Sequence, residues 1–162
     1  MSGGVLPGRA ARGPTAPGDG PPRAALLPRF RRRRARKLAA IYAGGALGAL
    51  LRVGLAEALP HGPAAWPWPT FAVNLAGALA IGWVYAAFRD LPPERLHHPF
   101  LATGICGALT TFSTVQLELY AMLDRGRLGL AAAYCALTVA LGLAAVRAGM
   151  ALERLAAREA RA

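Results

Sequence analysis

Long uncharged segments, separated by short polar breaks, dominate the pattern of the chain. No charged side chain occurs in residues 38–51 or in three windows of 19 residues each, 70–88, 99–117 and 128–146. Since an α-helix rises about 1.5 Å per residue, such a window spans roughly 28 Å, close to the hydrocarbon thickness of a bilayer. The pattern therefore predicts an all-α membrane protein with four transmembrane helices, near residues 38–58, 69–89, 99–123 and 127–150.

The two ends of the chain have a different composition. Residues 1–29 are rich in Pro and Gly and poor in large apolar side chains, so they cannot bury enough surface to offset the entropy of ordering. A basic run of Arg and Lys follows at 31–37. We therefore predict three parts: a disordered Pro/Gly-rich and Arg-rich cytoplasmic tail (1–37), a four-helix transmembrane domain (38–150) and a short polar C-terminal tail (151–162).

Composition and charge agree with a membrane protein and indicate its orientation. Only 17% of the residues are charged and 55% are hydrophobic, whereas soluble domains carry about 25% charged residues. The net charge is +11, but no aromatic residues interleave with the arginines of the basic run, which argues against a nucleic-acid arm. Four spans place both termini on one side, which then holds fifteen Lys and Arg residues against two on the other. The positive-inside rule predicts that both termini are cytoplasmic.

The sequence lacks the residue patterns of an enzyme. Its two cysteines, Cys106 and Cys135, have no CxxC spacing, and its three histidines (His61, His97 and His98) lie in predicted loops. No Ser/His pair, metal-ligand cluster or phosphate-binding loop is found. We therefore predict that the protein is not an enzyme and has neither a zinc site nor a disulfide framework.

A few polar side chains interrupt the predicted spans, where they are costly unless they are paired or functional. Arg52 could reach the membrane surface or pair with carbonyls at a subunit contact, and Gly48 belongs to a GxxxG pair that lets helices approach closely. We expect both to be structural residues at a subunit interface. Asn74 offers two N–H donors, for an interhelical hydrogen bond or for a ligand. Tyr134 and Thr138 are four residues apart and share one helix face.

The third predicted helix has the most unusual sequence. Two glycines precede four hydroxyl residues within five positions (Gly104, Gly107, Thr110, Thr111, Ser113 and Thr114). Glycine and threonine weaken a helix, and a broken backbone at membrane depth is tolerated only where it lines a cavity or binds something. Freed carbonyls suit a hard cation, whereas hydroxyl and N–H donors suit an anion. The alternative is an intact helix whose hydroxyls bond to the preceding turn.

Three of these segments resemble the bacterial fluoride channel family, also called Fluc or CrcB, over about residues 40–150. The motifs are Gly44-Gly45-x-x-Gly48-Ala49-x-x-Arg52, then Asn74-x-x-Gly77 with Gly82, then Gly104-x-x-Gly107-x-x-Thr110-Thr111-Phe112-Ser113-Thr114. The third motif is long and specific, and the three occur in the right order on three of the four helices.

The resemblance implies a passive fluoride-selective channel that exports cytoplasmic fluoride and so reduces its toxicity. It implies two four-helix subunits inserted antiparallel, with a break in the third helix and a structural, non-transported Na⁺ held by backbone carbonyls of Gly107 and Thr110. Asn74 would donate to fluoride, and Phe112 would offer the positive edge of its ring. The full implied pathway is Asn74, Phe112, Ser113, Thr114, Tyr134 and Thr138. Ser113 and Thr114 are either further donors or helix stabilisers.

The chain departs from the family pattern in ways that affect assembly. Val115 stands where a second phenylalanine is usual, Gly142 where a hydroxyl is frequent, and Val53 where tyrosine is common. A homodimer that inserts both ways needs nearly balanced Lys and Arg, which fifteen against two does not provide. We therefore hypothesise that this subunit inserts one way and pairs with an oppositely oriented paralogue.

Two other membrane functions compete with this interpretation. A small multidrug-resistance-type transporter also has four short helices, but it needs a membrane-embedded acidic residue, and Glu57 and Glu118 lie near the ends of their spans. A non-conducting membrane scaffold subunit would need neither Asn74 nor the Thr-Thr-Phe-Ser-Thr segment.

Overall fold

Helices make up the chain in the computed structural model, which describes residues 23–62, 65–89 and 95–161. Helix α1 is Arg23–Ala58 and α2 is Trp68–Phe88. The third span consists of a π-helical segment, Pro99–Cys106, then α3, Gly107–Leu109, and α4, Phe112–Asp124; the last helix, α5, is Leu128–Glu159. Within these ranges there is no strand, so the prediction of an all-α protein is confirmed.

Four stretches of helix are long and apolar enough to cross a membrane, which confirms the four predicted spans. They are Arg31–Ala58, Trp68–Phe88, Pro99–Asp124 and Leu128–Glu159.

The helices extend beyond the predicted bounds at both ends of the chain. Helix α1 already begins at Arg23, so residues 23–37 are helical where the sequence predicted disorder, while residues 1–22 of the predicted tail lie outside the described residues. Helix α5 continues to Glu159 and includes most of the predicted polar tail. Ala, Leu, Arg and Glu are good helix formers. Both helices therefore continue through the charged residues that lie outside the uncharged segments.

Glycines allow α1 to pack directly against the backbone of the third span. A Cβ added at Gly44 would collide with the carbonyl oxygen of Phe100, and one added at Gly48 would collide with that of Ile105. Gly48, which was expected at a subunit interface, therefore has a packing role inside the chain. Such small-residue contacts are the usual means of close helix association in membranes.

Helices α2 and α5 lie side by side and run in the same direction. Near their beginnings, the ring centroids of Phe71 and Tyr134 are 6.4 Å apart. Further along, a Cβ at Gly82 would collide with the carbonyl of Val146.

A small hydrophobic core lies near the beginning of α2. Tyr134 and Met122 are almost completely buried, and Phe71, Val115 and Ala131 pack with them. Many other large apolar side chains are exposed on the outer faces of the helices. Lipid tails would cover these faces at no hydrophobic cost, since they are as apolar as leucine.

We predict that Gly44→Ala destabilises the protein whereas its neighbour Gly45→Ala does not. Nothing lies within 4 Å of a Cβ added at Gly45, but the added methyl group at Gly44 is forced against the backbone of the third span. Such overpacking should cost about 1–3 kcal/mol. Thermal unfolding of the purified protein in detergent measures the difference, and equal melting temperatures for the two variants would contradict the close packing of α1.

Candidate functional site

The third span is interrupted at two threonines, in agreement with the break predicted from the sequence. Thr110 (φ −77°, ψ 151°) and Thr111 (φ −145°, ψ 125°) are extended and separate α3 from α4. The helical segment before them is π-helical and wider than an α-helix, a form that is frequent at functional sites.

The side-chain amide of Asn74 pairs with the backbone of the break in both directions. Its Nδ2 donates to the carbonyl oxygen of Thr111 at 3.1 Å, and the Thr111 N–H donates to its Oδ1 at 2.9 Å. Asn74 therefore replaces the helical hydrogen bonds that Thr111 loses, which makes an extended residue tolerable inside a membrane. This is the interhelical role that the sequence left open for Asn74; one N–H of its amide is not used in it.

The hydroxyl of Thr111 begins α4. It accepts a hydrogen bond from the backbone N–H of Thr114 at 3.2 Å and lies 2.9 Å from the Thr114 hydroxyl and 3.3 Å from that of Ser113. This is the arrangement of an N-cap residue. The contacts of Ser113 and Thr114 with the Thr111 hydroxyl are thus local, within the first turn of α4.

The break removes the helical donors of carbonyl groups in α3, among them Gly107, and of Thr110. In a continuous helix the amide of Thr111 would bond to Gly107 and that of Thr114 to Thr110, but these amides bond to the side chains of Asn74 and Thr111 instead. The amide of Thr110 still donates to the carbonyl of Cys106, so Thr111 is the first residue whose amide loses its helical acceptor. The carbonyls of Gly107 and Thr110 thus lack the amide donors that a continuous helix would give them. No group of three or more His, Cys, Asp or Glu side chains suited to a metal occurs in the ranges described.

Two cavities lie on opposite sides of the break and share Thr111 as a wall. The larger, about 430 Å³, lies between α2, α4 and α5 and contains Asn74, Thr110, Phe112, Val115 and Thr138 in its lining. The smaller, about 260 Å³, lies between α1, α2 and α4 and is lined by Arg52, Thr70 and Thr114 among others. A fixed positive charge therefore faces one side of the break, and uncharged donors and an aromatic ring face the other.

The larger cavity brings together three of the six residues predicted for the fluoride pathway. They are Asn74, Phe112 and Thr138. Phe112 is 75% exposed, and the Thr138 hydroxyl is buried without a hydrogen-bond partner in the described part of the chain. Thr114 lines the smaller cavity instead, and Ser113 and Tyr134 line neither. Val115, where a second phenylalanine was expected, is buried in the wall of the larger cavity.

A carboxylate that the sequence analysis placed only near the end of a span proves to be the centre of a polar cluster. Glu118, with 11% of its side chain exposed, accepts hydrogen bonds from the hydroxyls of Thr70 and Tyr134, the latter at 2.7 Å. Nε2 of His61 lies 3.7 Å from the same carboxylate. Tyr134 thus helps to hold Glu118, and a carboxylate within the predicted span 99–123 was the signal that could have indicated this cluster.

Comparison with known proteins places the chain in a family. Residues 39–150 match the family described as CrcB-like protein, Camphor Resistance (CrcB). The chain belongs to the CrcB family. The matched residues include all three motifs and both cavities, and the resemblance inferred from those motifs is confirmed.

Curated CrcB relatives are similar over most of their length. The chain is 48% identical over 120 residues to the fluoride-specific ion channel FluC 1 of Mycobacterium bovis, covering 74% of this chain and 91% of the relative. It is 43% identical over 123 residues to FluC of Stutzerimonas stutzeri, covering 72% and 95%. It is 40% identical over 114 residues to FluC of Hyphomonas neptunium, covering 68% and 90%.

These relatives decide two further predictions. They are named as channels, which confirms that this CrcB chain is not an enzyme. Together with the four apolar helices, they establish a multi-pass membrane protein.

We predict that Asn74→Ala destabilises the protein because it leaves the N–H and C=O groups of Thr111 unpaired. Unpaired buried groups of this kind cost about 1–3 kcal/mol. Thr138→Val is the matched control in the same cavity, since its hydroxyl has no partner to lose among the described residues. Unfolding in detergent should show a lower melting temperature for Asn74→Ala and an unchanged one for Thr138→Val. If Asn74→Ala has the same melting temperature as the wild type, the Asn74 amide does not stabilise the break.

Proposed function

We propose that this protein is a subunit of a passive, fluoride-selective channel that exports cytoplasmic fluoride and so reduces its toxicity. The observation that carries the proposal is the larger cavity, whose lining includes Thr138 with its unpartnered hydroxyl, Asn74 and the exposed Phe112, at a break in a membrane span. The names of the relatives support fluoride as the ion.

The chemistry of this cavity suits a small, strongly hydrated anion. Fluoride must exchange its water for closely spaced donors, which a hydroxyl and an amide N–H can supply. The edge of an aromatic ring carries partial positive charge and adds a weak attraction. A lining without a fixed cation binds the ion loosely enough to release it, as conduction requires.

The driving force needs no energy-coupling site. A membrane potential that is negative inside favours the exit of an anion by about 2.3 kcal/mol per 100 mV. Arg52, at the smaller cavity on the other side of Thr111, would raise the local anion concentration without standing in the uncharged lining.

A structural sodium ion, not transported, would suit the carbonyl groups of Gly107 and Thr110. Both carbonyls lack the amide partner of a continuous helix, and oxygen atoms of this type are the ligands of hard cations. Two ligands from one chain do not complete a coordination shell, so we propose that the same pair from a second subunit supplies the rest. The ion would then hold two broken spans together.

The assembly that follows is an antiparallel pair of subunits. The larger cavity is open on one side, and the exposed Phe112 needs a cover that the single chain does not provide. The fifteen-to-two distribution of Lys and Arg favours one orientation for this chain in the cell. We therefore propose that in the cell it pairs with an oppositely oriented paralogue rather than with a copy of itself.

The transporter alternative requires a proton-exchanging carboxylate on the transport path. Glu118 is bonded to Thr70 and Tyr134 near the loop residue His61, outside both cavities. A scaffold subunit would not require an unpaired hydroxyl inside a membrane cavity. Neither alternative uses the residues that line the larger cavity.

We predict that Phe112→Ile lowers fluoride efflux by about tenfold or more while the protein stays folded, because the exposed ring packs little and its edge is lost. Tyr120→Ile is the control: this ring lies on the same helix and is 68% exposed, but it does not line the cavity. Fluoride-electrode recordings from liposomes measure both. Equal rates for Phe112→Ile and the control would remove Phe112 from the pathway.

We predict a single orientation in the bacterial membrane, with both termini cytoplasmic. Paired C-terminal fusions report it, since green fluorescent protein is active in the cytoplasm and alkaline phosphatase only outside it. Replacing the basic residues of 31–37 with Gln should give mixed orientation, because the bias depends on these charges. Strong signals from both fusions of the wild-type chain would instead indicate dual insertion and a homodimer.

A further inference from the structure

A strongly basic cavity lies at the far end of the α2 and α5 pair, remote from the break. Its volume is about 250 Å³, and four arginines line it (Arg89, Arg154, Arg158 and Arg161). Among the lining residues that the structure describes, the single acidic one is Glu153. The side chains of Arg154, Arg158 and Arg161 are exposed, so their charges are accessible to a ligand.

The continuation of α5 builds this cavity. Helix α5 crosses α2 closely at Gly149, where a Cβ would collide with the carbonyl of Leu79, and it then runs on to Glu159. Arg154 and Arg158 are one helical turn apart and thus share a face, which meets Arg89 at the end of α2. The CrcB match ends at residue 150, so three of the four arginines lie beyond the part shared with the family.

We propose that this cavity is a binding site for a phosphate group. The guanidinium group is planar and always charged, and it binds phosphate oxygens through two parallel hydrogen bonds. Without counting Arg89, three exposed arginines against Glu153, the acidic residue of the described lining, still leave an excess of positive charge for an anion with several oxygens. A halide such as fluoride is a single atom, so it has no pair of oxygens to accept the two parallel hydrogen bonds of a guanidinium group.

The position of the cavity favours the phosphate of an anionic phospholipid headgroup. It lies just beyond the apolar part of two adjacent spans, on the side that holds both termini, where headgroups meet the protein. Basic cavities between transmembrane helices at this depth recognise such headgroups. Free phosphate shares the chemistry, and the experiment separates the two sources.

A simpler role for these arginines is to fix orientation and to stabilise the C-terminal end of α5. That role depends on the number of charges and not on the shape of the cavity. A variant with the same loss of charge elsewhere on the terminal side therefore separates the two explanations.

The test uses the full-length protein in neutral detergent, where orientation has no influence. Bound lipid is counted by native mass spectrometry, and melting temperatures are recorded with phosphatidylglycerol, with phosphatidylcholine and with inorganic phosphate. We expect phosphatidylglycerol to remain bound and to raise the melting temperature, and phosphatidylcholine to do neither. A rise with inorganic phosphate alone supports the phosphate site with a soluble ligand as its source.

The deciding variant is Arg154→Gln with Arg158→Gln, and its control is Arg32→Gln with Arg36→Gln. Both pairs are exposed, four residues apart, on long helices, and remove two charges, but only the first lines the cavity. We expect about tenfold or more weaker phosphatidylglycerol binding for the cavity variant and unchanged binding for the control. Equal losses in both variants, or no preference for phosphatidylglycerol or phosphate over phosphatidylcholine, would overturn the site.

Discussion

The pairing of the Asn74 amide with the backbone of Thr111 is the interaction on which the rest of the structure depends. A membrane span can be interrupted only if its freed N–H and C=O groups find partners inside the protein. Asn74 supplies both partners for one residue, and the Thr111 hydroxyl then starts the next helix. The extended conformation of Thr111 and the loss of the helical donor of the Gly107 carbonyl both follow from this pairing.

Close packing by small residues fixes where the break occurs. Gly77 lies one turn after Asn74 on α2, and a Cβ there would collide with the methyl group of Thr110. On the other side, α1 presses against the π-helical segment, where a Cβ at Gly104 would come within 2.9 Å of the Gly44 Cα. The break is therefore held between two helices. Thr111 lines both the cavity with Arg52 and the cavity with Phe112.

The sequence was sufficient to predict the structural elements that depend on local composition. Uncharged windows predicted the four spans, and the run of glycines and threonines predicted the break, because both signals act within a few residues. It could not show that the Asn74 amide pairs with the backbone of Thr111, since this contact joins residues 37 positions apart and is fixed by the tertiary structure. The hydrogen bond from Tyr134 to Glu118 could not be predicted for the same reason, since the two residues lie on different helices. The sequence analysis ended the fourth helix at residue 150, where charged residues become frequent. The helix continues to Glu159, because arginine and glutamate are good helix formers.

Ion release from liposomes tests the fluoride-channel account most directly. In detergent no membrane fixes the orientation of the subunits, so antiparallel pairs of this chain can form before reconstitution. Vesicles loaded with potassium fluoride and potassium chloride should release fluoride far faster than protein-free vesicles once valinomycin dissipates the charge, and chloride should stay at the leak rate. Release of both anions at similar rates, or no fluoride release by a folded two-subunit assembly, would contradict the account.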